Sequence, residues 1–85
     1  MDNASVCTQL KEIFARVLRL PGGANEVPDH DLIHKLGIDS VSSLEILVWV
    51  ENEFGIEIDD RDLSPRLVDS LEVLSDYVVQ RKALA

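Results

Sequence analysis

The 85-residue chain is aliphatic and acidic, with 46% hydrophobic residues, 5% aromatic residues and a formal net charge of −8. This length predicts one domain, residues 1–85, with a small aliphatic core and no room for an additional catalytic domain. The single cysteine, Cys7, excludes an internal disulfide and favours a reducing compartment. No apolar run approaches membrane-spanning length and no signal-peptide pattern is present, so the sequence predicts a cytoplasmic protein.

The negative charge is concentrated in one segment of the chain. Residues 39–62 hold eight acids and one base, Arg61, which gives −7 of the total −8. Such a field repels nucleic acid and anionic membranes and attracts basic protein surfaces. We therefore expect protein partners, and neither nucleic acid nor membrane. The alternative explanation is a solvated acidic face that serves solubility.

An amphipathic helix is predicted over about residues 3–20. Its buried stripe consists of apolar side chains at helical spacing: Val6, Leu10, Ile13, Phe14, Val17 and Leu18. Pro21-Gly22-Gly23 should end this helix, with glycine in the left-handed cap.

A long loop is predicted next, over residues 22–39. Four apolar side chains can anchor it in the core: Val27, Leu32, Ile33 and Leu36. His30 and His34 have a spacing that could bind a metal on a helix. No convincing third ligand accompanies them, so we predict no metal site.

The central predicted helix runs from Ser40 to Phe54 and has two apolar faces. Its core face carries Ser43, Ile46, Leu47, Val50 and Phe54. A second stripe, apolar and acidic together, begins beside Ser40. Because the core face of the helix already accounts for the buried side chains, we expect this second stripe to bind partners. The predicted partner residues are Val41, Glu45, Val48, Asn52 and Glu53. The sequence does not decide the role of Trp49.

The rest of the chain predicts a linker, a short helix and a last helix. Ile56-Glu57-Ile58 should be an extended linker with both isoleucines inward, and residues 60–65 a single helical turn with Leu63 inward. Asp69 and Glu72 have the spacing of a capping box that opens the last helix. The buried stripe of that helix is Leu71, Leu74, Tyr77 and Val78, and residues 80–85 should fray.

These elements predict an all-α four-helix bundle with a long first loop and a short third helix. The expected core is Phe14, Leu18, Leu36, Leu47, Val50, Phe54, Leu71 and Leu74. No catalytic constellation accompanies it, because neither histidine nor lysine is placed to act as a base for Ser40. We therefore expect a substrate of enzymes, and not an enzyme.

Three segments together resemble the acyl carrier proteins. They are Leu36-Gly37-Ile38-Asp39-Ser40-Val41, then Leu44-Glu45, then Glu51-Asn52-Glu53-Phe54-Gly55-Ile56-Glu57-Ile58. The resemblance covers nearly the whole chain. The chain departs from the family at Val41, where leucine is usual, and at Asp59, where proline is common.

The resemblance implies that Ser40 carries 4′-phosphopantetheine, whose terminal thiol holds an acyl or polyketide group as a thioester. It also implies that Asp39 positions the metal or a basic side chain of a phosphopantetheinyl transferase. A glycine is expected at position 37, where the loop approaches the helix start, because a side chain there would crowd the modified serine. Acyl-transferring and synthase enzymes with basic docking patches are the further expected partners of a monomeric carrier in fatty acid or polyketide biosynthesis.

Two alternatives and one competing motif remain. An aminoacyl or peptidyl carrier would share the mechanism, although Asp39 stands where peptidyl carriers usually have histidine. An unmodified acidic helical adaptor would bind one partner. Asp69-Ser70-Leu71 spells the family's D-S-L more literally than Asp39-Ser40-Val41. Because Ser70 lacks the Leu-Gly lead-in and the acidic helix, we expect it to start a helix instead.

Overall fold

The computed structural model describes residues 2–84, which form four α-helices and no β-strand. The helices are α1 (Asn3–Leu18), α2 (Leu32–Leu36), α3 (Ser40–Phe54) and α4 (Leu71–Leu84). Three 3₁₀ turns connect them, at Gly23–Glu26, Asp60–Asp62 and Pro65–Val68. The predicted all-α fold is confirmed.

The core lies between α1, α3 and α4. Most of the predicted core side chains are buried: Phe14, Leu47, Val50, Phe54, Leu71 and Leu74. Leu18 and Leu36 are only partly buried and pack against the edge of the cluster. On α3 all five residues assigned to the core face are buried, so α3 lies against the core as its pattern predicted.

α1 ends earlier than predicted, and its cap is not a glycine. The helix starts beside Asp2, whose carboxylate accepts from the Ser5 N–H at 2.7 Å. It stops at Leu18, and Arg19 takes the left-handed conformation at φ 55°. The Leu20 N–H then donates to the Ala15 carbonyl at 3.0 Å, which closes the helix end before the Pro-Gly-Gly segment begins.

The predicted long loop contains a 3₁₀ turn and the five-residue α2. Val27 and Leu32 are buried and anchor it, while Ile33 and Leu36 are partly buried.

Asp69 ties this loop to the region before α4. Its backbone carbonyl accepts from the Leu32 N–H, and its carboxylate accepts from the Ile33 N–H, both at 3.0 Å. The predicted capping box at the start of α4 is therefore wrong, because Asp69 serves α2. At the start of α4, the Val73 N–H instead donates to the Ser70 hydroxyl oxygen at 3.3 Å.

The segment after α3 follows the prediction in part. Ile56 and Ile58 are both buried, as expected of the linker. The short third helix consists of two 3₁₀ turns, and Leu63 between them is 38% exposed, so its predicted inward position is wrong. Leu67 and Val68 supply the buried apolar contacts in its place.

α4 is longer and more regular than predicted. It continues to Leu84, through the residues expected to fray; Ala85 lies outside the described residues. Leu71, Leu74 and Val78 are buried, while Tyr77 is partly buried. Across the described part of the chain, a helix with the length and apolarity needed to cross a membrane is not found.

Candidate functional site

Ser40 is the first residue of α3, and Asp39 is its N-cap. The Asp39 carboxylate accepts from the Ser42 N–H at 2.7 Å, and its backbone carbonyl accepts from the Ser43 N–H at 2.9 Å. Ser40 itself is exposed. The first turn of a helix presents backbone N–H groups without intrahelical partners, together with the positive end of the helix dipole. The Ser40 hydroxyl is therefore attached where a negative group is well tolerated.

Asp39 places a fixed negative charge directly before the serine. The hydrogen bond from the Ser42 backbone N–H, followed by the one from the Ser42 hydroxyl, lowers the pKa of the Asp39 carboxyl below its ordinary 3.8. The carboxylate is therefore ionised at neutral pH and remains available at the surface.

The backbone conformation of Gly37 favours glycine at this position. It ends α2 in the left-handed region at φ 63°, with its N–H donating to the Ile33 carbonyl. A Cβ added at Gly37 would meet no atom within 4 Å of the unmodified protein, and crowding of the modified serine stays a prediction. Its role is to turn the chain from α2 towards α3. The buried Ile38, which the sequence reading did not single out, anchors this turn in the core.

A cleft of about 190 Å³ opens beside Ser40. Its lining comes from the first turns of α3 and from the segment between the two 3₁₀ turns: Ser40, Ser43, Leu44, Leu47, Leu63, Ser64 and Pro65. Sequence reasoning missed this cleft, because Leu63 was assigned to the core and Leu44 received no role. The partial exposure of these two side chains, 54% for Leu44 and 38% for Leu63, reflects their position in the cleft walls. The serine hydroxyl thus lies at the edge of a mainly apolar cleft.

The predicted partner residues all lie on the exposed part of α3. Val41 is 75% exposed and Val48 is 52% exposed, and the polar members of the set are exposed as well: Glu45, Asn52 and Glu53. Large apolar side chains left in water beside carboxylates are typical of a binding surface. Their contact with a partner remains a prediction.

Trp49 lies at the junction of α1 and α3. Its side chain is 37% exposed, and the guanidinium carbon of Arg16 is 5.6 Å from its ring centroid. This distance is within the range of a cation–π interaction. Trp49 therefore links the two helices at the surface and does not belong to the buried core.

The remaining candidates do not form a second site. His30 and His34 are both exposed, and residues 2–84 contain no group of three or more potential metal ligands. Ser70 is partly buried, forms an isolated bridge with His30, and uses its hydroxyl to accept from the Val73 N–H. Ser70 thus has the helix-starting role expected of it, in a more enclosed position than Ser40.

Comparison with known proteins identifies relatives along most of the chain. A family model described as "Phosphopantetheine attachment site" matches residues 8–78. Acyl carrier protein 3 of Ralstonia nicotianae is 31% identical over 78 residues, which cover 92% of this chain and 86% of that protein. The mitochondrial acyl carrier protein of Neurospora crassa is 29% identical over 77 residues. The match covers 82% of this chain but only 56% of the length of that protein.

An aminoacyl carrier protein of Agrobacterium fabrum is also similar, at 26% identity over 69 residues that cover 81% of this chain and 83% of that protein. The relatives thus include carrier proteins named for acyl cargo and for aminoacyl cargo. With the all-α fold and the match over residues 8–78, the chain belongs to the acyl carrier protein family, whose cofactor is covalently attached 4′-phosphopantetheine.

Proposed function

We propose that residues 1–85 form a single carrier domain that holds acyl or polyketide intermediates as thioesters on a 4′-phosphopantetheine arm attached to Ser40. The observation that supports this most strongly is the exposed Ser40 hydroxyl at the start of α3, beside an apolar cleft. When bound, the arm supplies the thiol that forms the thioester. The pathway is fatty acid or polyketide-type biosynthesis.

The surroundings of Ser40 fit a phosphodiester. The hydroxyl is exposed, so a transferase can reach it, and no other described side chain forms a hydrogen bond with it. The helix N-terminus stabilises the negative charge that the phosphodiester adds. The ionised Asp39 can bind a metal ion or a basic side chain of the transferase while that group is delivered.

The cleft favours an acyl group over an aminoacyl group. Leu44, Leu47 and Leu63 make its lining mainly apolar, and its volume is about 190 Å³. An apolar chain gains free energy by leaving water there, whereas a charged ammonium group would lose its hydration without a partner. An aminoacyl cargo is the second candidate, supported by the similarity to an aminoacyl carrier protein.

The exposed face of α3 serves as the docking surface in this proposal. Phosphopantetheinyl transferase and the acyl-transferring and synthase enzymes would contact Val41, Glu45, Val48, Asn52 and Glu53, all of them exposed. The carboxylates speed encounter with basic patches, and the small apolar contact keeps each complex short-lived. The chain acts as a monomer and as the substrate of these enzymes, without catalysis of its own.

Modification with coenzyme A and a broad-specificity phosphopantetheinyl transferase tests the proposal. Intact-mass measurement should show one added arm on the unaltered protein and on Ser70→Ala, and none on Ser40→Ala. Ser70→Ala is the matched control, because it removes the other serine that follows an aspartate and opens a helix. Circular dichroism should show that both variants remain helical.

An arm found on Ser70 would overturn the assignment to Ser40. Failure to gain any arm, under conditions that modify a control carrier, would favour the adaptor function instead. If Ser40 gains the arm as expected, the intact mass of protein from its native cell would identify the cargo.

A further inference from the structure

Residues 59–66, which we call the strap, form the outer wall of the Ser40 cleft. Leu63, Ser64 and Pro65 line the cleft on the side opposite α3. A second groove, of about 260 Å³, lies between the strap and α4, where Asp62 and Ser64 face Val73 and Tyr77. Ser64 lines both spaces, so the strap has open volume towards α3 and towards α4.

The outer part of the strap, residues 60–63, has no buried side chain to hold it in place, although the buried Ile58 and Leu67 flank the strap. Its backbone-to-backbone hydrogen bonds close local turns. The Asp62 N–H donates to the Asp59 carbonyl at 2.8 Å, and the Leu63 N–H donates to the Asp60 carbonyl at 3.3 Å. Leu63 is 38% exposed, and the side chains of Asp60 to Asp62 are exposed as well. Local turns fix the shape of a segment, but they do not fix its distance from neighbouring helices.

Tyr77 of α4 supplies a long-range connection to the strap. Its hydroxyl donates to the Asp62 carboxylate at 2.8 Å and accepts from the Asp59 backbone N–H at 3.2 Å. Burial, and then the hydrogen bond with Asp62, raise the pKa of the Tyr77 hydroxyl above its ordinary 10.0, so it keeps its proton at neutral pH.

Arg81 holds the tyrosine in position from the next turn of α4. Its guanidinium carbon lies 5.8 Å from the Tyr77 ring centroid, and its Nε donates to the Glu57 carbonyl at 3.0 Å. The tyrosine ring is thus fixed by contacts that do not involve its hydroxyl.

We propose that Tyr77 is a positioning residue that holds the Ser40 cleft open by tying the strap to α4, and so sets the size of the apolar group that the cleft accepts. The inference rests on the proposed function of Ser40. Leu44 and Leu63 face each other across the cleft and are both partly exposed to water. Because apolar surfaces gain free energy by leaving water, an untied strap would move towards α3 and close the cleft. The two hydrogen bonds of Tyr77 oppose that movement.

The test uses the unmodified protein, so it is independent of Ser40 modification. 1-Hexanol is titrated as an apolar probe, and binding is followed by the NMR shifts of the Leu44, Leu47 and Leu63 methyl groups. Tyr77→Phe keeps the ring and its contact with Arg81 but removes the hydroxyl. The variant loses both hydrogen bonds of the hydroxyl, and the loss of each corresponds to about a five-fold change in an equilibrium constant, so hexanol affinity should fall by up to about 25-fold. The nuclear Overhauser effect between the Leu44 and Leu63 methyl groups should strengthen as the cleft closes.

Two neighbouring acids provide a matched pair of variants. Asp62→Ala removes the acceptor of the Tyr77 hydroxyl but keeps the hydrogen bond from the Asp59 N–H, so it should weaken hexanol binding about five-fold, less than Tyr77→Phe does. Asp60→Ala removes an equal charge from the same 3₁₀ turn without touching Tyr77, and it should behave as the unaltered protein.

Unchanged hexanol affinity and unchanged Leu44–Leu63 contact in both Tyr77→Phe and Asp62→Ala would overturn the inference, even if both variants were less stable. A merely structural role would lower the melting temperature without moving either measurement in the folded protein. If Ser40 gains no arm but these variants close the cleft, the proposed carrier function fails while the role of Tyr77 stands.

Discussion

Glu51 and Glu53 lie on the same turn of α3 but have different surroundings. The Glu51 carboxylate accepts from the Ile58 backbone N–H at 2.9 Å, and its backbone carbonyl accepts from the Ile56 N–H at 3.1 Å. Glu53 is exposed and belongs to the proposed docking surface. Glu51 therefore holds the linker that buries two isoleucines, and removing its side chain should cost stability where removing that of Glu53 does not.

The expected loss in Glu51→Ala follows from one hydrogen bond. Bonds to charged groups contribute about 1.5–3 kcal/mol, and loss of the acceptor leaves the Ile58 N–H, within a partly buried contact, without its partner. Glu51 is itself partly exposed, so water can replace part of the interaction. We therefore expect a loss of about 1–2 kcal/mol in the free energy of unfolding. In a domain of this size that corresponds to a fall in melting temperature of about 4–16 °C.

Urea and thermal unfolding followed by circular dichroism measure this difference. Glu53→Ala is the control, because it makes the same chemical change on the same helix, and it should stay within about 0.5 kcal/mol of the unaltered protein. Glu51→Gln keeps an acceptor oxygen and should lose less than Glu51→Ala. Equal losses in the two alanine variants would refute the assignment of Glu51 to the linker.

Two further predictions concern Glu45 in the N-terminal half of α3 and Asp39, its N-cap. Glu45→Lys should slow transfer to or from a partner enzyme with little change in melting temperature, because exposed charges steer encounter more than they stabilise the fold. The transfer defect should shrink at high salt, where steering is screened. Unfolding of this variant would show that Glu45 is structural. The pKa of Asp39 is lowered in the folded state, so its stabilising contribution is present above its unfolded pKa of 3.8 and lost as pH falls through the folded value. Asp39→Asn should therefore be less stable than the unaltered protein at neutral pH in urea unfolding, with the difference vanishing well below pH 3.8; a difference that persists in acid would contradict this.

α3 was predictable because its signals are local. Its bounds, Ser40 to Phe54, and its five core residues agree with the sequence reading. Helical periodicity and an aspartate before the first turn involve residues within about four positions of one another. The exposure of Ser40 at the helix start follows from the same local pattern.

A helix cap was predictable from the sequence only where the capping carboxylate accepts from the helix that directly follows it. Asp39 and Ser42 are three residues apart, and their hydrogen bond forms as that spacing suggests. Asp69 and Glu72 have equal spacing, but the Asp69 carboxylate accepts from Ile33, 36 residues away. Asp69 lies close to the start of α2 and to the start of α4. The packing of the loop against α4 decides that its carboxylate accepts from α2.

The sequence by itself therefore determined the all-α class, the course of α3, and a surface-exposed serine followed by an acidic helix face. Only the tertiary structure decided what lies beside that serine. Leu44 and Leu63 come from separate segments, and Tyr77 reaches Asp62 across 15 residues of chain. The physical reason is that helix periodicity and caps depend on near neighbours in the chain, whereas the width of a cleft depends on how separate segments pack against each other.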